Sequence, residues 1–99
     1  MTITKTNKNE TTILEVVGRL DMSTSARLHD VLIPTLGECT DLIIDFGELV
    51  YVSSAGLRVL LLAQKEAQAK GKTMVLQNVA KDIMEVFEMT GFDSILTFE

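Results

Sequence analysis

Two adjacent serines, Ser53 and Ser54, are the residues here whose type and placement point to chemistry. They stand in Tyr51-Val52-Ser53-Ser54-Ala55-Gly56-Leu57-Arg58, after the apolar run Leu42-Ile43-Ile44-Asp45-Phe46 and before a helical pattern that starts near Ala55. A strand therefore gives way to a helix at the serines. Free backbone N–H groups and the positive end of the helix dipole gather at such a place. It favours an anion, including a phosphate carried on a serine. A serine there also caps helices, so capping alone accounts for one of the two just as well.

Other chemistry is hard to assemble. His29 is the lone histidine and falls within a helical pattern, so a Ser-His-Asp arrangement needs it to reach Ser53 or Ser54. Val52-Ser53-Ser54-Ala55-Gly56 also lacks the first glycine of a nucleophile elbow. Gly71-Lys72-Thr73 imitates the end of a phosphate-binding loop, but Glu66 stands where that motif needs glycine. One cysteine and one histidine make zinc a poor expectation, and Asp21, Asp45, Glu48 and Asp93 read as solvated loop-end acids. No catalytic residue, metal or cofactor is expected.

The elements that position the serines follow from periodicity. Ile3–Thr6 and Thr12–Gly18 read as strands joined by the turn Asn7-Lys8-Asn9-Glu10, an antiparallel hairpin at one side of a sheet. Ser23-Thr24 offers an N-cap for a helix carrying Leu28, Val31, Leu32 and Leu36, which Pro34 ends or kinks near its last turn. Leu42–Phe46 and Met74–Leu76 read as buried strands. A second helix covers Ala55–Ala69 and stops at Gly71; a third covers Ala80–Met89 and stops at Gly91. Ile95–Phe98 closes the chain as a short strand. The expectation is one α/β domain over residues 1–99, in the order β-β-α-β-α-β-α-β. Its sheet is mixed and mostly parallel, four- to five-stranded, with helices packed on it.

At 100° per residue, Leu57, Leu60, Leu61, Gln64 and Ala67 share one face of the second helix and are expected to pack on the sheet. Val59 and Leu62 then fall on an arc with Arg58, Lys65 and Glu66. Either a neighbouring helix covers them, or they form a docking patch beside the serines.

The chain has 99 residues, 46% hydrophobic and 23% charged, with net charge −5. That size holds one core. The acidic balance disfavours nucleic acid, and Lys65, Lys70, Lys72 and Lys81 are broken up by Glu66, Asp82 and Glu85. No apolar run reaches a membrane span and no signal peptide opens the chain, so a cytoplasmic protein is expected. Cys39, alone, reads as an inert filler in a reducing compartment.

Four segments carry a resemblance that covers essentially the whole chain. They are Gly18-Arg19-Leu20-Asp21, Leu42-Ile43-Ile44-Asp45-Phe46, Tyr51-Val52-Ser53-Ser54-Ala55-Gly56-Leu57 and Phe87-Glu88-Met89-Thr90-Gly91-Phe92. In this order and spacing they resemble the STAS domains of bacterial anti-sigma factor antagonists. The resemblance implies a protein that binds an anti-sigma factor, often a serine kinase, and thereby frees a sigma factor. The kinase would phosphorylate the serine after the motif's Asp, and a serine phosphatase would reverse it. Aligned on Gly56-Leu57, that serine is Ser54, with Ser53 at the Asp position as a second choice and Ala55 where Ser or Thr is usual. Arg58 replaces a common Gly and lies one helical turn from Ser54. The expected partner-binding residues are Asp21, Ser53, Ser54, Ala55, Gly56, Arg58, Val59 and Leu62. The alternative is a STAS subunit without phosphorylation, acting as a scaffold in a signalling or lipid-transport complex.

Overall fold

A computed structural model describes residues 1–99. The chain opens with β1 (Thr2–Lys8) and β2 (Thr11–Leu20), paired antiparallel from Thr2↔Val17 to Lys8↔Thr11. Asn9 makes the hairpin turn at φ 60°, a left-handed conformation that asparagine tolerates. Helix α1 (Ser25–Leu36), strand β3 (Asp41–Asp45), strand β4 (Leu49–Val52) and helix α2 (Ser54–Ala69) follow. Strand β5 (Thr73–Gln77), helix α3 (Lys81–Thr90), a 3-10 turn (Phe92–Ser94) and strand β6 (Thr97–Phe98) complete the chain.

The main sheet runs β1-β2-β3-β5-β6, and every pairing except β1–β2 is parallel. The expected architecture holds with one strand added, giving six. The addition is β4, which pairs with the end of β2 beyond the reach of β3. Gly47 and Glu48 interrupt the apolar pattern there, so the sequence reads as one strand followed by a loop. Between the Glu15↔Asp45 and Leu20↔Val52 pairs, β2 advances five residues while its partner segment advances seven. The excess is absorbed by bulging, one irregularity falling at Gly18/Arg19 where Gly18 has φ 105°. Bulges of this kind re-aim side chains beside functional sites.

Alternation along the strands defines the core. Leu14, Val16, Leu20, Leu42, Ile44, Phe46, Met74 and Leu76 are buried beneath the helices. They join Leu28, Leu32, Leu36, Leu57, Leu60, Ile83 and Phe87 in one cluster. Cys39 lies in it too, its thiol donating to the Thr35 carbonyl at 3.3 Å, as the filler role requires. Pro34 sits in the last turn of α1, and α3 ends on Gly91 at φ 80°.

Helix α2 corrects one expectation. Its buried arc is centred on Gly56, Leu60, Ala63 and Ala67 and includes Val59, which is only 8% exposed. Helix α1 lies against α2, so the latter is covered on a flank as well as on its sheet side. Val59 therefore belongs to the core and is removed from the partner-binding set. Leu62, 43% exposed, stays on the outer surface with Arg58 and Lys65.

Candidate functional site

The serine segment is held by the ends of two strands and the start of α2. The Ser53 N–H donates to the Leu20 carbonyl at 2.9 Å, extending the β2–β4 pairing by one bond. Ser53 itself is extended (φ −97°, ψ 173°), and its Oγ accepts from the Gly56 N–H at 3.3 Å. Its carbonyl accepts the first helical bond, from Leu57, at 2.9 Å. Ser53 is thus the N-cap, satisfying one of the donors that every helix start leaves open.

Ser54 is the first residue of α2 and is exposed, with no hydrogen bond from its hydroxyl to the rest of the chain. The two serines, alike in sequence, are in different chemical situations. Arg58, one turn along, is exposed and outside the chain's ion pairs. Ala55 is half-buried. Gly56 is buried, and a Cβ there would come within 2.6 Å of Leu20 Cγ and 3.1 Å of the Leu20 carbonyl oxygen. The glycine lets the first turn of α2 rest directly on β2.

Asp21 follows the Leu20–Val52 pair and organises the turn into α1. Its Oδ1 accepts from the Ser23 N–H (3.0 Å), the Ser23 hydroxyl (2.8 Å) and the Thr24 N–H (3.2 Å). Asp21 therefore closes the turn that leads into α1, while Thr24 occupies the cap position without making a side-chain cap bond. Thr24 Oγ1 accepts from the Asp21 N–H at 2.9 Å, closing a reciprocal turn. The Ser23 hydroxyl above all holds the Asp21 carboxyl below its ordinary value; partial burial opposes this, and Thr24 and the two N–H groups lower it further.

A folded-state value below the unfolded one means that stability is present above the unfolded pKa. It is lost as pH falls through the folded one. As pH falls below about 4, the unfolded carboxylate range, wild type should lose thermal stability more steeply than Asp21→Asn. Parallel curves for the two proteins in thermal unfolding would show that the carboxylate does not hold this turn.

Asp21 Oδ2 faces Arg19, whose Nε is 3.7 Å away. The Arg19 guanidinium in turn lies over the Tyr51 ring, 4.3 Å from its centroid. Arg19 and Tyr51 are register partners, and Val50 is the extra residue between the Gly18–Leu49 and Arg19–Tyr51 pairs. Val50 is 64% exposed, Tyr51 41%, and Met22, next to Asp21, 84%. None of these four is among the expected partner-binding residues, although Arg19 and Tyr51 fall in segments that carry the resemblance. The available signal was an apolar run, Leu49–Val52, too continuous for a strand with one face in water.

No three His, Cys, Asp or Glu side chains converge anywhere in the domain, and His29 pairs only with its neighbour Asp30, at 3.6 Å. No helix is long and apolar enough to cross a membrane.

Residues 3–97 match the family model described as "Mlab, STAS domain". The inferred anti-sigma factor antagonist BtrV of Bordetella bronchiseptica is 45% identical over 53 residues, which span 54% of this chain and 46% of that protein. The anti-sigma-B factor antagonist of Bacillus subtilis is 26% identical over 92 residues, 93% of this chain and 84% of that protein. The structure of phosphorylated SpoIIAA from Bacillus superposes with a TM-score of 0.77 at 20% identity, covering 99% of this chain and 91% of that one. The last comparison establishes likeness of fold, which is the α/β arrangement described above. With the match to the family model running over nearly the whole sheet and all three helices, the chain belongs to the STAS domain family.

Proposed function

We propose that the chain is an anti-sigma factor antagonist working as a phosphorylation-controlled binding module in the cytoplasm. Unphosphorylated, it binds an anti-sigma factor that is also a serine kinase, and a sigma factor is released. The kinase phosphorylates Ser54 and the complex parts; a serine phosphatase restores the binding form. The carrying observation is the division of labour between the serines. Ser53 Oγ is engaged in the cap, while Ser54 is exposed at the positive end of α2. The named relatives support the reading, since one is an anti-sigma-B factor antagonist, another is an inferred anti-sigma factor antagonist, and a structural neighbour is described in its phosphorylated form. Incubation with the host's anti-sigma factor and ATP tests it: a complex should form and then dissolve as phosphate is incorporated.

The second reading is a scaffold subunit that is never phosphorylated. Ser53 favours it, because it replaces the acidic residue beside the acceptor in the motif that the segment resembles. A chain that binds its partner identically before and after exposure to kinase and ATP, with no phosphate incorporated, would belong to this class.

Arg58 lies four residues after Ser54 on the same helix face, and helical side chains lean toward the N-terminus. It is proposed to hold the phosphate. An exposed ion pair contributes about 1 kcal/mol or less. Phosphorylation should therefore raise the melting temperature slightly in wild type and less in Arg58→Ala, with the difference largest at low salt. An identical shift in both would leave the phosphate to the backbone N–H groups alone.

A further inference from the structure

The sheet has one bare face. From β2 through β3 and β5 to β6, each strand is added on the same side of the last, so right-handed crossovers put all three helices on one face. Burial follows that arrangement. Leu14, Leu42, Ile44, Met74 and Leu76 are buried against the helices, while Ile13, Ile43 and Val75, which alternate with them, are only half-buried. Those three are register partners across β2, β3 and β5, so they form one stripe. Parallel strands ordinarily have both faces covered, and the runs Leu42-Ile43-Ile44 and Met74-Val75-Leu76 are apolar enough for that.

We propose that the bare face docks a basic amphipathic helix of another protein, which completes a helix-sheet-helix sandwich. Charge chooses this occupant. Two residues along the strands from the stripe, the next row holds Glu15, Asp45 and Gln77. Glu99 joins that row, its Oε1 accepting from Gln77 Nε2 at 2.9 Å. On the other side of the stripe lies Asp41, whose Oδ1 accepts from the Thr73 hydroxyl at 2.6 Å. None of these four carboxylates is in an ion pair. Glu15 and Asp45 are direct register partners, and like charges so placed repel. The cation that the register puts on this face is Lys8, at its outer corner beside Thr11. A complementary surface is therefore basic around an aliphatic centre.

Dimensions agree with a helix. Three neighbouring strands span about 10 Å, the width of one helix with its side chains. Rows two residues apart are about 6.6 Å apart, close to the roughly 5.4 Å of a helical turn. Lysines or arginines one turn from the aliphatic residues thus reach the carboxylates on either side of the stripe. A second copy of this chain fits poorly, because it is itself acidic and a two-fold stack sets carboxylates against carboxylates. The proposal is independent of the antagonist reading, since the bare face lies across the sheet from α2, whose first residue is Ser54.

The probe is a synthetic helix of about 18 residues of leucine, lysine and alanine, with leucines in one stripe and lysines a turn away. A counterpart carries glutamate in place of lysine. Each is titrated into the isotope-labelled full chain and followed by amide NMR. The lysine peptide should shift the amides of Ile13–Glu15, Ile43–Asp45 and Val75–Gln77, and the glutamate peptide should shift none. Ile43→Thr and Glu15→Lys should each weaken the lysine peptide by about fivefold or more, while Glu85→Lys, on the exposed side of α3, weakens it by less than about twofold. Glu15→Lys turns a like-charge contact with Asp45 into an opposite one, so it should melt no lower than wild type, which separates lost docking from lost folding. Shifts centred on α2 or α3, an equal loss in Glu85→Lys, or no binding by the lysine peptide overturns the proposal. So does a wild-type dimer in sedimentation that Ile43→Thr dissolves, which assigns the face to self-association.

Discussion

Gly56→Ala is expected to destabilise the domain by about 2 kcal/mol and to lower the affinity for the partner at the same time. Alanine is the better helix former by up to about 1 kcal/mol, so propensity alone predicts the opposite sign. Packing decides the outcome. The added Cβ would lie 2.6 Å from Leu20 Cγ and 3.0 Å from its Cδ2, and Leu20 is fully buried. It would also lie 3.1 Å from the Leu20 carbonyl oxygen, which already accepts the Ser53 N–H. Forcing atoms into a filled core costs about 1–3 kcal/mol, and here α2 must lift from β2 to relieve it. The first turn of α2 carries both serines, so the lift displaces the site. Thermal unfolding should show a melting temperature roughly 10 °C lower in a domain of this size. Unchanged stability would mean that the close approach of α2 to β2 is not a constraint.

Ser54→Asp is expected to weaken partner binding, and phosphorylation of Ser54 to weaken it further, by at least about thirtyfold in Kd. A dianion placed in a packed interface is desolvated, and it is repelled where no basic group of the partner meets it. Aspartate carries less charge than phosphate, so its effect is the smaller one. Ser54→Ala should bind like wild type and be insensitive to kinase and ATP. Ser53→Ala behaves differently: it removes the acceptor of the Gly56 N–H and should cost about 1 kcal/mol of stability without blocking phosphorylation. Equal affinities for wild type, Ser54→Asp and the phosphorylated protein, measured by calorimetry, would refute the switch.

The hairpin, the parallel strands β3 and β5 and all three helices were legible in the sequence because their apolar periods are regular and their ends carry Pro or Gly. Three things were not. Strand β4 was hidden because Gly47-Glu48 breaks the pattern where the chain bulges, and a bulge removes the alternation by which strands are recognised. Val59 was misplaced because the large residues of α2 point to one face, while its true packing face is built on Gly56, Ala63 and Ala67. Small residues carry little weight in a periodicity, yet they mark where another element comes closest. Asp21 was placed at the site, but its part in closing the turn before α1 depends on hydrogen bonds to Ser23 and Thr24, which read in sequence as an N-cap. The serine pair was visible from the start. Which serine is tied into the cap is set by geometry alone, because residue type does not distinguish Ser53 from Ser54.

Phosphosite mapping asks whether Ser54 is the switch. The wild-type protein is incubated with the host's anti-sigma factor kinase and ATP, digested, and its serine-segment peptide sequenced by tandem mass spectrometry beside that of Ser54→Ala. Phosphate on Ser54, and none on the segment in Ser54→Ala, is the predicted result. Phosphate confined to Ser53, or incorporated at the full rate in Ser54→Ala, would rule out Ser54 as the switch.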